Sequence, residues 1–538
     1  MKKEADLNQT NKTLNFWFCG GLLTILFISI IGRDIARPFY GLHSWAQASG
    51  AWAARSHVRY GLSYTKGVST WALGNPPKQN PQRYWDHPQL NVLIAAAYMK
   101  IFGISEWTAR ISSLTTAVFA MFIFMLMVRD ISNDLVAIMS AAVYTLFPLT
   151  GYFGMGSWAT LLGFLSMWLY LIIAGYTARN PKKFHYIVLA VTLFLGIQFD
   201  WTGFFFAMGI GVHYVLVCLI KRKSPNWPLL IILAAAPACS LLLNFTVMAA
   251  GYNWDVSKIT ELYKWRSAKG EMPAFEWDKW FAKLWEFAKT NFTIPAIIAA
   301  IVYLTIGQLF VFSTPKDKTG RRALQFPCFW LFFLIPFFQL FILRGCLWRH
   351  QTWEQPLAPI IAIAAALAIL TIDELLKKTQ RYFALAVEGL LIIVFLISCI
   401  IGTNYYFDIR WQNPAKINMF KMLNKLIPPD KELLSFEDFI VNQHEAKGGF
   451  IRPEIAWYLD REITPARNIE EINRYASTDR YPCYLIPAVN ELSGLINQLK
   501  QHYQYEYISG APGETTKSGE FLKAGMLPYF IFDLTSKK

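Results

Sequence analysis

The stretch Arg83–Arg110, RYWDHPQLNVLIAAAYMKIFGISEWTAR, decides how this chain is threaded. It opens on two aromatics, Tyr84 and Trp85, followed by Asp86, His87 and Pro88. An apolar run then fills positions 88–103 and ends in Phe102-Gly103, and Glu106-Trp107 lead into a longer hydrophobic segment. The 88–103 run falls short of the about 20 residues that a helix needs to cross a bilayer. Whether it crosses sets the side of the membrane on which Asp86, and everything after it, is found.

The composition makes the membrane question central. Of 538 residues, 54% are hydrophobic and 16% charged, against about 25% charged in an average soluble domain. Apolar runs recur at 15–32, 107–128, 134–153, 157–177, 185–201, 203–220, 228–249, 292–312, 325–344, 355–372 and 383–404. The expected fold is therefore an α-helical polytopic membrane protein with about 11 transmembrane helices and a long first outer loop. The net charge of +15 would point to nucleic acid in a soluble protein. Here the basic residues cluster in short loops between spans, which reads as topogenic charge facing membrane lipids, with no nucleic-acid partner. No A-x-A-like site follows the first span, so that span is expected to be retained.

Loop charge settles the parity. Arg129, then Arg179, Lys182 and Lys183, then Lys221, Arg222 and Lys223, then Lys316, Lys318, Arg321 and Arg322, then Lys377, Lys378 and Arg381 fall in alternate loops. If 88–103 does not span, all of them share the cytoplasm with Lys2 and Lys3; if it does, the N-terminus conflicts with every later loop. The rule favours a re-entrant or interfacial 88–103 and an N-terminus in the cytoplasm. The 33–106 loop, the Asp200-Trp201 turn, the 250–291 and 345–354 loops and the C-terminal region then share the outer face.

Two domains are expected: 1–404, the transmembrane domain, and 405–538, a small soluble extracytoplasmic α/β domain. In the latter ELLSFEDFIV, YPCYLIPA, YQYEYISG and LPYFIFDL read as strands, and PEIAWYL, NIEEINRYAS and NELSGLINQLKQHY as helices. Residues 43–60 read as an amphipathic helix at the membrane surface, and 252–285, with five tryptophans, as more interfacial helix. Seven cysteines show no metal spacing.

Four clusters can carry chemistry. Asp86 can act as a general base, or can cap the helix that Pro88 opens. His43, in an aromatic outer loop, can accept a proton or bind phosphate. Arg344 to Pro359, RGCLWRHQTWEQPLAP, gathers Arg344, Arg349, His350 and Glu354 at the outer end of two spans, a clamp suited to a phosphate. Asp200 lies between two apolar runs, where an acid costs about 2.5–3.5 kcal/mol on insertion scales and faces a cavity or a partner such as Arg349 or Arg55.

These segments resemble integral-membrane glycosyltransferases of the GT-C class, in particular the dolichyl-phosphate-mannose protein mannosyltransferase and lipid A aminoarabinose transferase group. AARSHVRYG at 53–61 resembles the AR-x-x-x-x-x-G that follows their first acidic motif. YWDHPQLNVLIAAAYMKIFGISEWTARI resembles their aromatic-E-K-P-P-L … FG … E-W-x-A-R segment, and WRHQTWEQPLAPIIAIAAALA their late R-x-x-Y-x-x-P-x-x-P span. The likeness runs from about residue 30 to 375 and leaves out the C-terminal domain. It implies transfer of a sugar from a polyprenyl-phosphate donor to a glycan, lipid or protein acceptor of the cell envelope, on the outer face of a bacterial inner membrane. It also implies Asp86 and His43 as catalytic candidates, Arg349, His350, Arg55 and His87 as ligands of the donor phosphate, and Asp200 as a supporting acid. No cofactor is expected; soft metal ligands are lacking, and an Asp-based divalent site is left open.

The chain departs from the pattern in three places. The first acidic pair is replaced by LHSWAQAS, the lysine after the acid at 86 by His87, and the second outer turn reads GMGSWAT. Two rival readings follow. One is a transporter or lipid flippase, against which stand the absence of an internal repeat and the gathering of polar residues on one face. The other is a catalytically degenerate envelope protein, which the missing first acid keeps open.

Overall fold

The computed structural model describes residues 2–153, 158–268, 275–307, 328–377, 381–409, 414–437, 440–442, 449–508 and 528–537. Residues 154–157 (GMGS) of the GMGSWAT turn, the basic loop containing Lys316, Lys318, Arg321 and Arg322, and Lys378 lie outside them. The chain divides into two compact units. One comprises 1–35, 85–91 and 110–406; the other comprises 36–84, 92–109 and 407–538. The second unit thus combines 407–538 with most of the first long loop and 92–109.

The first unit is helical. Among the described residues, six helices are long and apolar enough to cross a membrane: Leu14–Ile31, Glu106–Ile131, Thr202–Lys221, Trp227–Gly251, Gln351–Ile372 and Leu385–Asp408. A seventh arises if Trp277–Phe292 and Ile294–Ile306, bent by 105° at Thr293, count as one. The other expected spans appear as shorter apolar helices. Asp134–Leu146 stops before Pro148, which opens a separate turn of helix, Pro148–Phe153. Trp158–Ile173, Lys183–Phe199 and Cys328–Ile342 have 16, 17 and 15 residues, so among the described residues length alone identifies fewer crossing helices than the 11 expected.

Without water to compete, these helices meet through small residues and side-chain hydrogen bonds. A Cβ on Gly203 would lie 2.2 Å from the backbone of Gly196, so the helices on either side of Asp200 cross in near backbone contact. Ser166 donates to Thr192 at 2.8 Å. Gln198 Nε2 donates to Ser240 Oγ at 2.8 Å, and that hydroxyl donates to the Phe194 carbonyl at 2.7 Å.

The second unit holds a mixed five-stranded sheet in the order Ile463–Pro465, Leu433–Ser435, Cys483–Pro487, Tyr529–Lys537, Tyr503–Ile508. The first three strands are parallel; Tyr529–Lys537 runs antiparallel to both of its neighbours, Cys483–Pro487 and Tyr503–Ile508. Cys483–Pro487 is buried throughout, as a continuous apolar run in a covered strand should be. ELLSFEDFIV does not form one strand: Leu433–Ser435 joins this sheet and Ile440–Asn442 pairs with Gly449–Ile451.

The helix expected at the membrane surface is Ser44–Thr65, and its inner face is protein core. Ala48, Ala51, Trp52, Ala54, Ser56 and His57 are buried. Trp52 Nε1 donates to the Ala72 carbonyl at 2.7 Å. Phe39, Ala96, Met99, Phe420, Ile455 and Leu459 share its core. The 88–103 segment is the helix Leu90–Phe102, 13 residues and so about 20 Å long, too short for a hydrocarbon layer of about 30 Å. Ala96 and Met99 bury its inner face.

His57 Nδ1 bonds Thr65 Oγ1 at 2.8 Å, a hydroxyl that in turn donates to the Gly61 carbonyl. Burial pushes the pKa of His57 down to about 4 from an ordinary 6.5. Between those values the unfolded chain holds a proton that the folded chain does not. The contribution of His57 to stability is therefore complete above about pH 6.5 and is lost as the pH falls toward 4. Hydrogen-exchange protection of the 44–65 helix, corrected for intrinsic rates, is expected to fall between pH 7 and pH 5. The drop should be much smaller in His57→Gln, and equal drops in the two proteins refute the assignment.

Candidate active site

Residues 85–91 belong to the helical unit and are pinned to the turn that joins Lys183–Phe199 to Thr202–Lys221. Trp201 Nε1 donates to the backbone carbonyl of Asp86 at 3.0 Å. Asn91 Nδ2 donates to the carbonyl of Phe199 at 2.9 Å. The turn itself is held by Asp200, whose Oδ1 accepts from the backbone N–H and the hydroxyl of Thr202 at 2.8 and 2.7 Å. Asp200 thus ends one helix and caps the next. Among the described residues it makes no ion pair, and Arg55 is paired with Asp460 instead.

Asp86 is completely buried, at 0% exposure. The hydroxyl of Tyr252 donates to its Oδ1. Tyr252 follows the last residue of Trp227–Gly251, a helix tied to Lys183–Phe199 through Ser240 and through Asn244, which donates to the Ile197 carbonyl at 3.3 Å. Gly251 lies under the Trp85 indole: a Cβ there would come within 2.1 Å of the ring. Asn253 and Trp254 then take left-handed φ of 53° and 65°, a costly pair for residues with side chains. They turn the chain into Val256–Arg266, capped by Asp255 on the Ser257 N–H at 3.0 Å.

Arg266 closes that helix and sends Nη2 to His87 Nε2, 3.0 Å away. A guanidinium can only donate, so Nε2 accepts and the ring proton sits on Nδ1. Arg266 is itself buried. The short helix Arg344–Arg349 packs against its end at Gly345, where a Cβ would be 2.8 Å from the Arg266 carbonyl. Two adjacent residues of the chain, Asp86 and His87, therefore present an acid held by a phenol and an imidazole held by a guanidinium.

The remaining expected residues are placed as follows. His350 is half-buried just past Arg344–Arg349, its N–H donating to the Cys346 carbonyl at 3.0 Å. The side chain of Arg349 lies outside the described residues. Arg344 sits over Phe275 and Trp277, 4.4 and 5.1 Å from the ring centres. Glu354 is fully buried and accepts from Asn291 Nδ2 at 2.8 Å, and Asn291 Oδ1 accepts from Tyr406 at 2.5 Å. His43 and Arg55 belong to the second unit. His43 precedes Ser44–Thr65 with a left-handed φ of 55° and does not cap it through its side chain.

Arg55, expected at the donor phosphate, is spent inside that second unit. It donates to the carbonyls of Trp457 and Ala456 at 2.7 and 3.0 Å, pairs with Asp460 at 3.0 Å and lies over the Trp457 ring. Burial lowers its pKa to about 10, with Asp460 opposing, so it stays charged and bound at neutral pH. Among the described residues there is no group of three or more His, Cys, Asp or Glu side chains arranged to hold a metal.

Of the expected residues, Asp86 and His87 stand together, and their partners Tyr252, Arg266 and Trp201 are not ones that the sequence singles out. The partners of Asp86 and His87 lie 166 and 179 residues away, beyond any local pattern.

The geometry predicts how Asp200 substitutions behave. Asp200→Ala should lower thermal stability by about 1 kcal/mol, and Asp200→Asn by a few tenths, because asparagine caps nearly as well. Equal losses in Ala and Asn variants, read from detergent-solubilised melting curves, would assign Asp200 a role through charge instead.

No protein-family model matches the chain, and no curated protein matches its sequence. Solved structures do match. ArnT from Cupriavidus metallidurans bound to undecaprenyl phosphate superimposes with a TM-score of 0.60 at 9% identity, over 98% of both chains. The oligosaccharyltransferase of Archaeoglobus fulgidus in the apo form gives a TM-score of 0.54 at 10% identity, over 94% of this chain and 74% of that one. The AglB oligosaccharyltransferase of the same organism, in complex with an inhibitory peptide and a dolichol-phosphate, gives 0.52 at 10% identity, over 95% and 74%. At these identities the likeness is one of architecture: this chain has the fold of the GT-C membrane glycosyltransferases.

Proposed function

We propose that this protein is a membrane glycosyltransferase that moves a sugar from a polyprenyl-phosphate donor to a hydroxyl-bearing glycan, lipid or protein of the cell envelope. The reaction takes place on the outer face of a bacterial inner membrane, with the N-terminus in the cytoplasm. The observation that carries the proposal is the pairing of a buried, phenol-held Asp86 with a guanidinium-held His87 in a chain of this fold. The loop charges support the orientation, and the short Leu90–Phe102 helix removes the main objection to it.

Asp86 takes the proton of the acceptor hydroxyl as its oxygen attacks the anomeric carbon. The bond from that carbon to the phosphate oxygen breaks with inversion, and the lipid phosphate leaves as an anion. Arg266 and His87 receive that anion, with Arg349 and His350 as further ligands on the neighbouring loop. Fixed donors aimed at a developing charge, in a site closed to water, lower the barrier most. The donor arrives activated as a phosphate ester, so no nucleotide site is needed. Tyr252 orients the carboxyl. Asp200 supports the site by fixing Trp201 rather than by touching substrate. His43 is the second candidate for the base.

Sugar transfer from a radiolabelled polyprenyl-phosphate donor in detergent tests the proposal. Asp86→Asn should abolish transfer, a loss of roughly 100-fold or more, while yielding folded protein, and His43→Asn should keep most of it. The reverse result moves the base to His43, and full activity in both removes the mechanism. Arg266→Ala and Arg349→Ala should each raise the apparent KM for the donor, and unchanged kinetics removes that residue from the phosphate site.

A further inference from the structure

We propose that Gly251 and Gly345 are positioning residues that set the two halves of this site separately: Gly251 the acid, and Gly345 the anion-binding pair. The inference rests on the transferase reading above and assigns functional weight to two residues that touch no substrate.

Gly251 is the last residue of Trp227–Gly251. A Cβ built there would lie 2.1, 2.4 and 2.5 Å from three ring atoms of Trp85, far inside contact distance. The two residues in contact are the chain neighbours of Tyr252 and Asp86. Any shift that relieves an added methyl passes through one peptide bond into the phenol, and through another into the carboxyl it holds. The Asp86 carbonyl is fixed by Trp201, so the segment cannot simply slide away. The displacement falls on the Tyr252–Asp86 hydrogen bond.

Gly345 begins the Arg344–Arg349 helix, one residue in. A Cβ there would sit 2.8 Å from the Arg266 carbonyl and 3.0 Å from the Ala268 nitrogen and the Trp265 carbonyl. All three are backbone atoms, so no flexible side chain can yield. Ala268 already holds a left-handed φ of 53°, which leaves the loop little room to adapt. The end of Val256–Arg266 must move instead, and it carries the guanidinium that donates to His87.

The contacts are independent, and the two substitutions should therefore fail in different ways. Gly251→Ala misplaces the proton acceptor. It should lower kcat by roughly 100-fold, the scale of an ångström-sized error in a reacting group, with the apparent KM for donor changed less than twofold. Gly345→Ala should weaken binding of undecaprenyl phosphate, measured by native mass spectrometry and as product inhibition, by roughly tenfold, with kcat the less affected constant. Replacing the obstructing ring should rescue the first defect: Gly251→Ala with Trp85→Leu is expected to recover most of the lost rate, and melting curves of the single variant in detergent, expected to show folded protein at the assay temperature, separate a misplaced acid from a loss of folding. The double variant also serves if Gly251→Ala alone does not give monodisperse protein.

The wild type in the same assays separates the outcomes. No transfer by the wild type with any donor offered overturns the transferase reading, and this inference with it. Transfer by the wild type, with both variants unaffected or with kcat and donor binding falling together in each, leaves that reading standing and overturns the inference.

Discussion

A carboxyl taken wholly out of water has to be met by hydrogen-bond donors, and at Asp86 the donors come from outside its own segment. A buried acid without them costs several kcal/mol. Tyr252 meets the side chain and Trp201 the carbonyl of the same residue. Each stands at the end of a different helix. The site can form only if the ends of Lys183–Phe199, Thr202–Lys221 and Trp227–Gly251 come to the same place.

Lipid leaves few ways to achieve that. Between helices immersed in hydrocarbon the hydrophobic effect has no preference for one apolar face over another, so packing detail decides. Gly203 against Gly196 brings two axes together, and a glycine can do this because it has no Cβ to hold them apart. Ser240 and Asn244 then fix the third helix against the first, through bonds worth about 0.6 kcal/mol each on average. These are modest energies, but they select one register among several of similar packing. The register of Trp227–Gly251 determines where Tyr252 emerges.

How much of this was legible follows from the range of each interaction. Hydrophobic runs and loop charge are local or nearly so, and they carry the helical membrane class and the short 88–103 segment. The amphipathic helix at 43–60 was legible, but the partner of its apolar face was not: Ala48, Trp52 and Ile455 share a protein core. Arg55 shows the same limit. An arginine in a motif-like stretch reads as a phosphate ligand until the backbone carbonyls of residues 456 and 457 are seen to take its donors. Tyr252 and Arg266 could not be read at all, since nothing within a few residues of either announces a partner more than 160 positions away.

An inverting transfer asks for one more thing, which the arrangement around residues 86 and 87 supports. The base must approach the anomeric carbon from the face opposite the leaving phosphate, so the acid and the cation have to diverge. Asp86 and His87 are neighbours in sequence, yet their partners stand at the two ends of the 252–266 segment. Tyr252 comes just before Val256–Arg266 and Arg266 is its last residue. Eleven helical residues separate the ends by about 16 Å. The acid is drawn toward one end and the imidazole toward the other. A single short helix, entered through two left-handed residues and stopped against Gly345, thus brings both partners, the phenol before it and the guanidinium at its end, to neighbouring residues of one segment.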